Sequence, residues 1–156
     1  MKKYELYRET ILPISMLAAW DFFSNPYNLS KITPADMDFK VVTKNLPQHI
    51  HNGLIIDYVV RPLASVPLKW KSQISSVNAP YSFVDEQLKG PYAYWHHEHT
   101  FEEKGGNVLM KDKVTYAVPF GIIGRLANSL IVRNKLEEIF DFRTQKILEI
   151  FKKDEQ

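Results

Sequence analysis

The run Trp95-His96-His97-Glu98-His99-Thr100-Phe101 carries three of the chain's five histidines. Imidazoles that close together can orient a polar ligand, move protons or hold a metal. In an extended segment alternate residues share a face. Trp95, His97, His99 and Phe101 then point one way, and His96, Glu98, Thr100 and Glu102 point the other way, to solvent. The two inward imidazoles lie about 7 Å apart along the strand. A turn centred on Lys104-Gly105 places Glu102 opposite Asn107, Phe101 opposite Val108, His99 opposite Met110, His97 opposite Asp112 and Trp95 opposite Val114. Apolar meets apolar at both ends of that ladder, which supports the register. Asp112 becomes an inward carboxylate across from His97, able to orient the imidazole or favour its charged form.

This arrangement admits three readings. One is a structural His–Asp pair that satisfies polar groups in the interior. Another is a polar cluster that orients a ligand at one end of an apolar cavity. The third is a two-His-one-carboxylate metal site or a catalytic acid–base pair. No clear third ligand supports the metal reading. No metal or cofactor is expected, and no residue is assigned as catalytic.

These side chains need a scaffold. Residues 3–12 alternate polar and apolar and read as a first strand. Pro13 ends it, and Ser15 is the expected N-cap of a short helix through Phe23. Asn25-Pro26 breaks that helix, and a second helical turn is expected through Asn28-Leu29-Ser30-Lys31. From there to residue 118 the chain reads as six strands, at 39–46, 54–61, 66–77, 82–88, 93–102 and 108–118. The turn signals between them are Pro47 and Gly53, Pro62, Ala79-Pro80, Gly90-Pro91 and Gly105-Gly106. The break at 62–65 reads as a bulge, a kink or a turn. In the strand at 82–88 either Phe83, Asp85 and Gln87 or Val84, Glu86 and Leu88 face inward. The turn length decides that choice.

After Pro119 the period changes from 2 to 3.6. Positions 122, 126, 130, 133, 137, 140, 144, 147, 148 and 151 fall on one helical face. The helix is expected to run from Gly121 or Gly124 to the terminal lysines, about 45 Å, longer than a small sheet needs as a cover. Arg133 sits near the middle of this face, with Glu137 one turn later. It is either half of an ion pair at a wet helix edge or a cavity group for an acidic or carbonyl-bearing ligand. The order predicts an α+β fold: a curved antiparallel sheet of about seven strands wrapped around one long C-terminal helix, with two short helices after the first strand. Trp70, Trp95, Tyr116 and Phe140 are expected to line the space between sheet and helix, together with His97, His99, Asp112 and Arg133.

Composition narrows the function classes. The chain has 156 residues, 45% hydrophobic and 24% charged, with no cysteine. That length suits one domain, expected over 1–152 with a short tail at 153–156. The net charge of +2 makes no nucleic-acid footprint. The absence of cysteine rules out disulfides and thiolate metal sites and fits a reducing compartment. The start of the chain lacks the apolar core of a signal peptide, and no apolar run is long enough for a transmembrane segment. A cytoplasmic location is expected. Phosphate-binding loops, dinucleotide fingerprints, G-x-S-x-G and H-E-x-x-H are all missing from the sequence.

Several blocks together resemble the START-like helix-grip (SRPBCC) superfamily. They are Asp21-Phe22-Phe23 with Asn28-Leu29 and Ile32-Thr33-Pro34, Pro67-Leu68-Lys69-Trp70, and Gly90-Pro91-Tyr92 with Trp95 to Phe101. Pro119-Phe120-Gly121 and Ile139-Phe140-Asp141-Phe142-Arg143 complete the set. The resemblance covers essentially the whole chain and lies nearest the ligand-binding, polyketide cyclase/dehydrase-like bacterial branch. It implies a helix-grip fold and binding or carriage of a small hydrophobic or amphipathic molecule. That scaffold also hosts cyclases and dehydratases of polyketide-like substrates, and protein-interaction domains.

Overall fold

The computed structural model describes residues 1–61 and 66–153. The break expected at 62–65 and the last three residues of the tail lie outside the described residues. β1 (Tyr4–Leu12) leads into α1 (Met16–Phe23) and two short 3-10 turns, Pro26–Ile32 and Ala35–Met37. Ser15 caps α1 by accepting the Ala18 N–H at 3.2 Å. Six strands follow: β2 (Lys40–Val41), β3 (Ile55–Val60), β4 (Leu68–Asn78), β5 (Ser82–Lys89), β6 (Tyr94–Lys104) and β7 (Asn107–Ala117). All neighbours pair antiparallel in the order β1-β7-β6-β5-β4-β3-β2. The chain ends in α2 (Gly121–Ala127), a π turn at Asn128–Val132, and α3 (Arg133–Lys153).

β2 is far shorter than the strand expected at 39–46. The backbone N–H groups of Val42 and Thr43 both reach the carbonyl of Asp57, and Asn45 turns left-handed at φ 57°. The chain therefore leaves the ladder after Val41.

Between β6 and β7 the turn is only Gly105-Gly106, with φ of +59° and +83°. Two consecutive positive φ values make the tight primed turn that glycine favours. Pairing runs Lys104↔Asn107, Phe101↔Met110, His99↔Asp112, His97↔Val114 and Trp95↔Tyr116. The expected ladder, which assumed a longer loop, is thus displaced by two residues. An even displacement leaves every side chain on its expected face. His99, rather than His97, stands directly opposite Asp112.

The face of the long helix needs a larger correction. From Phe140 onward the expected and observed faces nearly coincide, with Phe140, Ile147 and Phe151 buried. Nearer its start the buried positions are Gly124, Asn128 and Leu136, while Ile122, Leu126, Leu130 and Arg133 are exposed. The π turn holds one residue more than an α-turn. That extra residue rotates the preceding face by about 100° relative to an unbroken helix. Its position has a visible cause: Asn128 is 2% exposed and accepts a hydrogen bond from the Tyr116 hydroxyl at 2.9 Å. One turn earlier, a Cβ on Gly124 would sit 1.7 Å from the Pro119 carbonyl oxygen, so only glycine lets α2 pack against the end of β7.

The main core joins α1, the inner faces of β3 to β7 and the end of α3. A smaller cluster of Leu6, Val114, Tyr116, Leu136 and Phe140 fastens β1 and β7 to the start of α3. Arg8 adds ion pairs from β1 to Glu137 and Asp141. Glu137 thus meets a strand arginine rather than Arg133 on its own helix.

Candidate functional site

Between the inner face of the sheet and the long helix lies a cavity of about 420 Å³. Most of its wall is apolar. Trp70 stacks on Tyr58 with ring centroids 5.7 Å apart and meets Trp95 edge-on at 5.2 Å. α1, the first 3-10 turn, β3 and the helix contribute Phe22, Phe23, Leu29, Ile56, Leu136 and Phe140.

One stretch of the wall is polar, and β5 and β6 build it. Phe83 pairs with His99 and Asp85 with His97 across the two strands. That settles the inward face of β5: Phe83 is buried and Leu88 is exposed. Asp85 lies in the cavity wall with Phe83, His97 and His99. Behind the imidazoles, Asp112 is 2% exposed. His97 Nε2 and Asp112 Oδ1 share a hydrogen bond of 2.7 Å. His99 Nδ1 comes within 3.3 Å of the same oxygen but lacks hydrogen-bond alignment and stays unpartnered. The imidazole centroids lie 3.7 Å apart with their planes tilted by 31°, and His99 stacks on Phe83 at 4.2 Å. From α3, Arg143 brings Nη2 to 3.7 Å from Asp112 Oδ1 and also lines the cavity.

The electrostatics divide the two carboxyls. Burial resists ionisation of Asp112, but Arg143 and the two adjoining histidines outweigh it and hold the group well below the usual carboxylate range. Asp85 has no ion-pair partner among the described residues, and burial pushes its carboxyl up despite the fields of His97 and Arg143 and the nearby Ser72 hydroxyl. A buried carboxyl without a counter-ion avoids desolvation by keeping its proton. His99 is pushed down to about 3, first by burial and then by the neighbouring His97 and the Arg143 cation, which together outweigh Asp112. Its ring is neutral.

His97, His99 and Asp112 each present one possible ligand atom within 4.8 Å of the others. Within the set, hydrogen bonding and charge pairing already engage these atoms. The closest pair makes a hydrogen bond, and the Arg143 cation already faces the carboxylate that would have to neutralise a metal.

Of the residues singled out in the sequence, Trp70, Trp95, His97, His99 and Phe140 line the cavity. Asp112 supports them from behind. Tyr116 is buried outside the cavity and holds Asn128. Arg133 is exposed and does not line the cavity. The π turn moves it out, and Arg143 is the arginine that the helix brings to the polar wall. Sequence reasoning missed Arg143 and left Asp85 undecided. A signal for Arg143 existed: it lies three residues after Phe140 and four before Ile147, on the helix's apolar face.

Buried polar atoms without partners concentrate here. Trp70 Nε1, Asp85 Oδ1, His99 Nδ1 and Arg143 Nε, all on cavity-lining residues, lack a hydrogen-bond partner among the described residues. Native interiors leave few such atoms unmatched.

No protein-family model and no curated protein matches the sequence. Solved structures do match the fold. A START superfamily protein from Mycobacterium smegmatis superposes with a TM-score of 0.71 at 6% identity, covering 96% of this chain and 97% of that one. A protein from Thermus thermophilus gives 0.71 at 13% identity, with coverages of 94% and 99%. Ginseng major latex-like protein 151 from Panax ginseng gives 0.69 at 13% identity, with coverages of 96% and 97%. Identities this low carry the architecture alone. Among the described residues no helix is long and apolar enough to cross a membrane. The seven-stranded antiparallel sheet closed around a long C-terminal helix, with short helices after the first strand, is the START-like helix-grip fold, and this chain has it.

Proposed function

We propose that the protein binds a small, uncharged, largely apolar molecule bearing an oxygen function, held in the cavity between sheet and helix. The observation that carries this reading is the concentration of unpartnered buried polar atoms on residues lining a mostly apolar cavity. An apolar body would fill the aromatic part, and a hydroxyl or carbonyl would meet the Asp85, His99 and Arg143 groups. Charge balance supports an uncharged ligand. Among the described residues the two cavity cations are already engaged, Arg143 with Asp112 and Lys135 with Asp36 and Glu138, so a ligand carboxylate would have to compete with carboxylates already in place. The cavity itself favours a ligand role over a purely surface-based interaction domain.

A matched pair of probes tests the reading. At pH 7.5, 9-phenanthrol is expected to bind at least tenfold more tightly than phenanthrene-9-carboxylic acid by titration calorimetry. Asp85→Asn, which keeps a polar group in place, should retain phenanthrol affinity within about threefold. Asp85→Leu should lose roughly tenfold, the worth of one neutral hydrogen bond. Tighter binding of the acid would overturn the proposal.

A second reading, a cyclase- or dehydratase-type enzyme, has one specific observation behind it. His97, oriented by Asp112, stands across the strand pair from Asp85, so a candidate base and a carboxyl whose burial favours its protonated form face the same cavity. Turnover of a molecule extracted with the protein, abolished in His97→Gln, would favour it over simple carriage.

A further inference from the structure

The segment that closes one side of the cavity is apolar on its outside as well. Phe120, Ile122, Ile123, Leu126, Leu130 and Ile131 are between 51% and 81% exposed. On α2, Ile122, Ile123 and Leu126 fall within an arc of about 100°, and Leu130 and Ile131 extend the patch past the π turn. Single exposed apolar residues are ordinary, but six within twelve positions mark a surface that something covers.

Within the segment itself the charges are all of one sign. From Val114 to Leu136 the sequence contains Arg125, Arg133 and Lys135 and no aspartate or glutamate, in a chain otherwise nearly balanced. Lys135 is engaged with Asp36 and Glu138. Arg125 and Arg133 are exposed and make no ion pair among the described residues. Exposed aliphatics beside unpaired arginines match the two layers of an anionic bilayer surface, acyl chains below and phosphates above. Membrane crossing is not involved, since the segment is too short to span.

The patch also adjoins the cavity. Phe120, Gly124, Ala127 and Val132 of the same segment line it. The backbone here departs from regular helix twice, at the left-handed Phe120-Gly121 pair (φ 69° and 54°) and at the π turn.

We propose that the segment from Phe120 to Val132 is a docking surface for anionic lipid bilayers, lying flat in the interface and setting the cavity wall against the acyl layer. Docking would give an apolar ligand a water-free path between bilayer and cavity. That consequence rests on the ligand-binding reading, whereas docking itself does not and is tested without ligand.

Vesicle flotation of the full chain is the test. With vesicles of phosphatidylcholine and phosphatidylglycerol (7:3), the bound fraction in 0.1 M salt is expected to exceed that on pure phosphatidylcholine at least tenfold. It should fall in 0.5 M salt as charges are screened. The double variant Ile123→Glu, Leu126→Glu, at two exposed positions, should keep the circular dichroism of the parent and lose at least tenfold in binding. Arg125→Glu should lose the preference for anionic lipid. The absence of native cysteine allows an independent readout: Leu126→Cys carrying a polarity-sensitive fluorophore should shift to the blue on the anionic vesicles. Failure of the parent chain to float, binding unchanged in the double variant, or no spectral shift would overturn the proposal. So would a concentration-dependent dimer, broken by the double variant, in a chain that ignores vesicles; the patch would then belong to a second copy.

Discussion

Arg143→Met is expected to lower the stability of the folded protein by about 3–5 kcal/mol at neutral pH, the scale found when one member of a buried ion pair is removed. Asp112 is 2% exposed and Arg143 is 9% exposed. Their 3.7 Å separation is long for a hydrogen bond, so the interaction is mainly one of charge. Arg143 is also the leading influence that keeps Asp112 ionised against the cost of burial. Once it is gone, the carboxylate must stay charged without its cation or take a proton, and each route costs free energy. Pairing the change with Asp112→Asn removes the stranded charge, and the double variant should be more stable than the sum of the single losses predicts. Urea unfolding of the parent, both single variants and the double variant measures the coupling. A loss below about 1 kcal/mol in Arg143→Met would show that Asp112 does not depend on the arginine. Arg133→Met, on the exposed face, should stay within about 0.5 kcal/mol of the parent.

The contrast between these two arginines shows what the sequence can and cannot disclose. The change of period at Pro119 was legible, and with it the long helix, because a 3.6-residue pattern persists through α3. The inward face of β6 was legible because alternation is a local property. A π turn is not local in that sense. It depends on Asn128 reaching the Tyr116 hydroxyl from another element, a contact that becomes visible only after β7 and the helix are packed together. One extra residue there exchanged Arg133 for the exterior and left Arg143 as the buried cation. The β6–β7 register failed more gently. A slip of two residues altered which histidine faces Asp112 but kept both imidazoles inside. Asp85 could not be placed from β5 alone, since both faces of that strand alternate acceptably; its pairing with His97 decides the matter.

Acidification from pH 7 to pH 4 is expected to separate two buried groups that pull stability in opposite directions. His99 is depressed from 6.5 to about 3. Between those values the unfolded chain binds a proton that the folded protein refuses. Stability from this group is therefore full above pH 6.5 and falls by about 1.4 kcal/mol for each unit below it. From pH 7 to pH 4 that amounts to roughly 3 kcal/mol. Asp85 is raised, so above its unfolded value of 3.8 the folded protein keeps a proton that the unfolded chain has lost. Lowering the pH toward 3.8 returns stability and masks part of the His99 loss. Asp112, depressed by Arg143 and the histidines, keeps its contribution above 3.8 and loses it only in stronger acid. Two variants isolate the opposing groups. Asp85→Asn removes the compensation and should lose more stability than the parent between pH 7 and pH 4. His99→Gln should lose about 3 kcal/mol less than the parent over the same range, provided its fold is retained by circular dichroism. Urea titrations at each pH unit give the slopes directly. Equal slopes in the parent and His99→Gln would mean that His99 takes up its proton in the folded state, and the polar wall would then carry one more positive charge for a ligand to answer.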